Sequence, residues 1–173
     1  MIAEMAGRIA LVALALAGCS PALDWREVRP QGSGAVALFP CKPQHMQRTV
    51  DLAGVPVGID LSACTTGEVT YALMHADIGD PQRVGAALQE LRASAAANLG
   101  GVPRVVGAMT VRGMTPNPLA ERLEVDGRDA RGHAVREVTG FFVKGVRVYQ
   151  ATVVGARPDA QAVDTFFAAL GLP

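Results

Sequence analysis

Aromatic residues make up only 5% of the 173-residue chain, which leaves few stacking platforms for bases or sugars. An excess of either charge is also missing, because 16 basic and 16 acidic residues cancel. Nothing therefore resembles a nucleic-acid footprint or a polybasic membrane patch. The three histidines, His45, His75 and His133, stand far apart, outside any paired metal motif. Also absent are a Gly-x-Ser-x-Gly elbow, a phosphate loop and His-Glu-x-x-His, so no metal, cofactor or catalytic residue is expected. Half of the residues are apolar, which excludes a disordered polyelectrolyte, and the 19 glycines and 11 prolines follow no collagen-like period. One domain is the expectation at this length. A domain near 150 residues buries roughly 70% of the surface of its unfolded chain, enough to support its own core.

No apolar run is long enough to cross a bilayer as a stable helix, which takes about 20 residues. The longest, Ile9 to Gly18, follows Arg8 and ends in small residues, the pattern of an export signal. It closes on Leu16-Ala17-Gly18-Cys19, which resembles the lipobox of bacterial lipoproteins. That resemblance implies cleavage after residue 18, lipidation of Cys19 and a home in the cell envelope facing the periplasm. Ser20, where Asp would favour inner-membrane retention, turns the expectation toward the outer membrane. One acyl chain binds a membrane only marginally, whereas two or more anchor stably. The expected organisation is a signal peptide over 1–18, a lipidated tether over 19–34 and one domain over 35–173. Trp25, the only tryptophan, can pack on the domain, touch the lipid interface or meet a partner.

Cys41 and Cys64 are the only other cysteines, and export would place them in an oxidising compartment. An even pair there is most simply a disulfide, with two free buried thiols as the alternative. Neither Cys-x-x-Cys nor a third thiolate suggests redox or metal chemistry. Closing this loop is worth about 3.5 kcal/mol in the chain-entropy model.

The remaining pattern alternates strands with two helices. Residues 35–39 form a short apolar strand ended by prolines, and 47–52 with 55–63 flank Ala53-Gly54 as a hairpin. Residues 69–76 complete an antiparallel meander, with Tyr71, Leu73 and His75 on one face. Asp80-Pro81 caps a helix whose stripe is Val84, Leu88, Leu91, Ala95 and Leu99, stopped by Gly100-Gly101. Strands follow over 104–113, 119–128, 133–144 and 146–155, and a last helix starts at Pro158 and closes at Gly171. Strand clusters separated by a helix and ended by another indicate an α+β fold, with an antiparallel sheet of about six to seven strands and two main helices.

Two segments resemble the Mog1/PsbP-like class. Phe39-Pro-Cys-Lys-Pro43 is similar to its early Phe-Pro-Gly-Lys-Pro turn, with Cys41 in place of Gly. The segment 145–155 followed by Val163-Asp-Thr-Phe-Phe167 is similar to its closing strand and helix. The resemblance implies an antiparallel sheet sandwiched by helices, in proteins that mostly serve as binding or assembly accessories.

Charge concentrates in the second strand set, where Arg122, Arg128, Arg131, Arg136 and Arg147 interleave with Glu121, Glu124, Asp126, Asp129 and Glu137. Opposite charges on facing strands form a solvated ladder. Convergence of the arginines would instead make a surface for a ligand or partner, so Trp25, Arg122, Arg136 and Arg147 are the candidate surface residues. His75-Ala-Asp77 reads as packing, and Met109 and Met114 as gap-fillers. The expected role is a non-catalytic binding or assembly accessory, with a membrane lipid at Cys19 and an envelope protein as partners. A small-molecule carrier with a cleft between sheet and helix is the alternative, and a hydrolase assembled only in space is a third reading.

Overall fold

The computed structural model describes residues 23–173; Cys19 and the proposed signal lie outside them. Seven antiparallel strands form the main sheet in the order β3-β4-β5-β9-β8-β7-β6. Their spans are β3 Gln44–Leu52, β4 Val55–Thr66, β5 Val69–Asp77, β6 Arg104–Ala108, β7 Glu121–Arg128, β8 Ala134–Lys144 and β9 Arg147–Gly155. Two helices, α1 Val84–Leu99 and α2 Ala160–Ala168, cover opposite faces, which makes the fold α+β. A separate ribbon pairs β1 Arg26–Val28 with β2 Ala37–Phe39.

Three turns follow directly from the residues. Ala53 and Gly54 both take positive φ (53° and 73°), the twist that joins β3 tightly to β4. Asp80 accepts from the Gln82 amide at 2.9 Å and Pro81 opens a single helical turn that runs into α1. Gly100, at φ 62°, ends α1 and returns its amide to Ala97.

Successive side chains along a strand point to opposite faces, so each face has its own core. Against α2 and the β1–β2 ribbon lie Phe39, Tyr71, Phe142, Tyr149 and Phe166. The Phe142 and Tyr149 rings stack with centroids 4.8 Å apart, and Phe166 meets Tyr71 and Phe39 edge-on at 5.5 Å. Against α1 lie Ile59, Met74, Val84, Leu88, Phe141 and Val143. A disulfide joins Cys41, just after β2, to Cys64 in β4 and so ties the ribbon to the main sheet. Met109 is buried and Met114 half-buried against the same core, the gap-filling role expected of them.

Several boundaries differ from the sequence expectation. β2 does not begin the meander; it pairs with β1, formed by residues 26–28 of the segment expected as a tether. Trp25 packs edge-on to Tyr71 at 6.0 Å, which docks that segment on the domain. The strand expected over 104–113 ends at Ala108, and beyond it only Arg112 makes a bridge, to Gly171. The last helix starts at Ala160 and not at Pro158, because Asp159 caps it, accepting from the Ala162 amide at 2.8 Å. Nor does Gly171 stop the helix, which ends at Ala168; Gly171 exchanges both backbone bonds with Val36.

Candidate functional site

The candidate site is a groove of about 380 Å³ between α1 and the sheet. Two glycines seat the end of the helix beside it. A Cβ at Gly127 would overlap the Leu99 carbonyl oxygen, and one at Gly101 would overlap that of Asp126. Bare backbone at both positions lets the C-terminal end of α1 settle tightly on β7. The helix thus lies across β7, β8 and β9, while β3, β4 and β5 meet it only along one flank. Small side chains on its groove side, Ser94 and Ala95, leave the space unfilled.

One wall is apolar, with Val50, Ile59, Leu61, Ala72, Met74 and Leu91 among the lining side chains. Toward the centre of the sheet the same face turns polar. Thr139 and Thr152 stand opposite each other on β8 and β9 with hydroxyls 3.0 Å apart. The Gln150 amide donates to both, at 3.2 and 3.3 Å. Two residues before Thr139, and so on the same face of β8, Glu137 enters the groove. It is only 7% exposed and sits between Val125 of β7 and Val154 of β9. Its carboxyl has no hydrogen-bond or ion-pair partner among the described residues, and burial pushes its pKa up to about 7. Its polar neighbours on this face are the Gln150 amide and the Thr152 hydroxyl, which line the groove, and the buried Thr139 hydroxyl behind them.

Glu137 corrects the sequence expectation, which put it in the solvated charge ladder. Adjacent residues of a strand face opposite ways, so Arg136 and Glu137 cannot both belong to that ladder. Of the expected ladder only the Arg136–Asp126 rung forms between the named residues, because Glu121 pairs with Arg92 of α1, Arg122 with Asp164 of α2 and Arg147 with Asp77 of β5. Arg136 makes two bonds to Asp126 directly across from it, at 2.8 and 3.2 Å, and holds that carboxyl below its usual range. Arg104 pairs with Glu124 in the same way.

The expected surface residues Arg122, Arg136 and Arg147 share the sheet face opposite the groove, and each has its own partner. Arg122 reaches Asp164 at 3.1 Å and lies over the Phe167 ring at 4.4 Å. Arg147 bonds the Ser33 carbonyl at 3.2 Å and Asp77 at 3.4 Å. Arg136 and Arg147 line separate depressions. Trp25 is spent on Tyr71.

On that same face His75 is buried under the loop around Gly32 and faces Asp60 at 3.8 Å, which also meets His45 at 3.3 Å. Asp77, two residues on, pairs with Arg147 and not with the imidazole. Burial lowers the His75 pKa, the nearby Asp60 raising it back in part. Among the described residues no group of three or more His, Cys, Asp or Glu is arranged to hold a metal ion.

No protein-family model matches the chain, and no curated protein is significantly similar to it.

Proposed function

We propose that this protein is a lipid-anchored accessory of the bacterial envelope, attached through Cys19, that binds a small ligand non-catalytically in the α1 groove. The observation that carries the reading is the groove itself: open, apolar along one side, and floored by a buried carboxyl without a partner. Ligand sites share this make-up, a concave apolar surface with a few placed polar groups. A sheet with a helix on each face is also the arrangement that the Mog1/PsbP resemblance implies, and we assign the domain to that type. The outer membrane, facing the periplasm, is the location this reading takes.

Binding of the neutral fluorophore N-phenylnaphthylamine tests the groove. The expected result is a single saturable site that Ala72→Trp, placed on the groove wall, abolishes. Unchanged binding by that variant would overturn the groove as the site.

Assembly with an envelope protein is the second reading, and β6 favours it. This outermost strand is exposed throughout, with Val105 and Val106 open beside Val102. An unpaired strand edge can accept a strand from another chain. Crosslinking in cells from a photoreactive residue at position 105 would capture that partner, and a Val106→Pro variant would abolish the capture.

A further inference from the structure

We infer that the ligand of the groove is a small amphipathic amine, its apolar body on Ile59, Leu61, Met74 and Leu91 and its ammonium group on the Glu137 carboxylate. The inference rests on the groove being the binding site. Three observations carry it. First, Glu137 is more than nine-tenths buried, faces the groove and lacks any partner among the described residues. A carboxylate is an acceptor only, so what it lacks is a donor. The hydroxyls and amide beside it are already bonded to one another. A largely desolvated charge without a protein partner is costly, and an entering cation offsets that cost.

Second, the charged groups that line the groove are Asp51 and Arg48 of β3, Glu90 of α1 and Glu137 of β8, three acids against one base. Arg48 and Asp51 stand at the exposed rim, and Glu90 is held there by the Ala53 amide at 2.8 Å. The balance repels an anion and draws a cation inward. Third, one wall is apolar and the carboxyl lies toward the sheet centre, so one polar head and one apolar body match the lining. Burial holds the Glu137 proton up to about pH 7, which a cation at the carboxyl displaces.

The test uses octylamine, octanol and octanoate, which share a tail and differ in head group. Calorimetry at a pH of about 8 keeps the amine protonated, as a lysine would be. Octylamine should bind about tenfold tighter than octanol, the scale of one charge-assisted hydrogen bond, and octanoate weakest of the three. Glu137→Gln should bring octylamine and octanol to similar affinity. Near pH 6, octylamine binding should release a proton in the wild type and none in Glu137→Gln, read in buffers of different ionisation heat. Equal affinity for octanol and octylamine, or a preference that survives Glu137→Gln, would overturn the amine while the groove stands as a site. Octylamine binding that Ala72→Trp leaves intact would overturn the groove reading as well.

Discussion

Arg136 and Glu137 are neighbours in the chain and opposites in environment. Arg136 forks onto Asp126 in solvent at 2.8 and 3.2 Å, and Glu137 leaves the other face of the sheet, mostly buried along the groove with no protein partner among the described residues. The pleat alone imposes this division, since consecutive side chains leave a strand on opposite sides.

That burial makes stability depend on pH. The unfolded chain releases the Glu137 proton near 4.5 and the fold releases it at about 7. Between those values the folded protein holds more protons, so its stability falls as pH rises across the window, by roughly 3 kcal/mol for this group. Glu137→Gln should remove that fall. Urea denaturation at the two ends of the window would show the variant gaining on the wild type at the higher pH. Parallel pH profiles for the two proteins would refute the assignment.

Breaking the Cys41–Cys64 bond removes the covalent tie between the β1–β2 ribbon and the main sheet. A Cys41→Ala, Cys64→Ala double variant should lose about 3.5 kcal/mol in urea, the worth of closing a loop of this length. Peptide mapping without reductant should recover the two cysteine peptides joined; free thiols at both positions would remove the staple.

Two glycines near α1 should respond with opposite signs. At Gly127 a methyl group meets the Leu99 carbonyl, so Gly127→Ala should push the helix off β7 and cost about 1–3 kcal/mol. Gly85, inside α1, has open space around it, and Gly85→Ala should stabilise by about 0.5–1 kcal/mol. Thermal melts of the two variants would separate the effects.

The proposed anchor has a direct chemical readout. Cells fed a radioactive fatty acid should label the wild type and leave Cys19→Ala unlabelled. Equal labelling of both would overturn lipidation at Cys19.

Much of the architecture was legible in the residues because local signals agreed with it. Asp80-Pro81 and Gly100 bracket α1, Ala53-Gly54 turns β3 into β4, and the cysteines pair. The structure departs from the local pattern where only distant contacts decide. Nothing local distinguishes Arg26–Val28 from a tether, since its strand exists only through pairing with Ala37–Phe39. The groove was the least legible feature. It lies beside a helix whose end is seated on β7 through Gly101 and Gly127, a contact between residues far apart in the chain. Strand alternation could have separated Glu137 from Arg136, but only the position of α1 shows that Glu137 is covered.

The docked amino-terminal segment shortens the leash. Leu23 already packs on the core, and Asp24 donates its amide to the Pro40 carbonyl at 2.9 Å. With Cys19 in the bilayer, four peptide steps remain, a reach of about 14 Å at full extension. On the proposed attachment the body would ride close to the lipid headgroups instead of sweeping the space beyond them. The segment arrives on the face opposite the groove, so the tie to the bilayer and the mouth of the groove do not compete for one side.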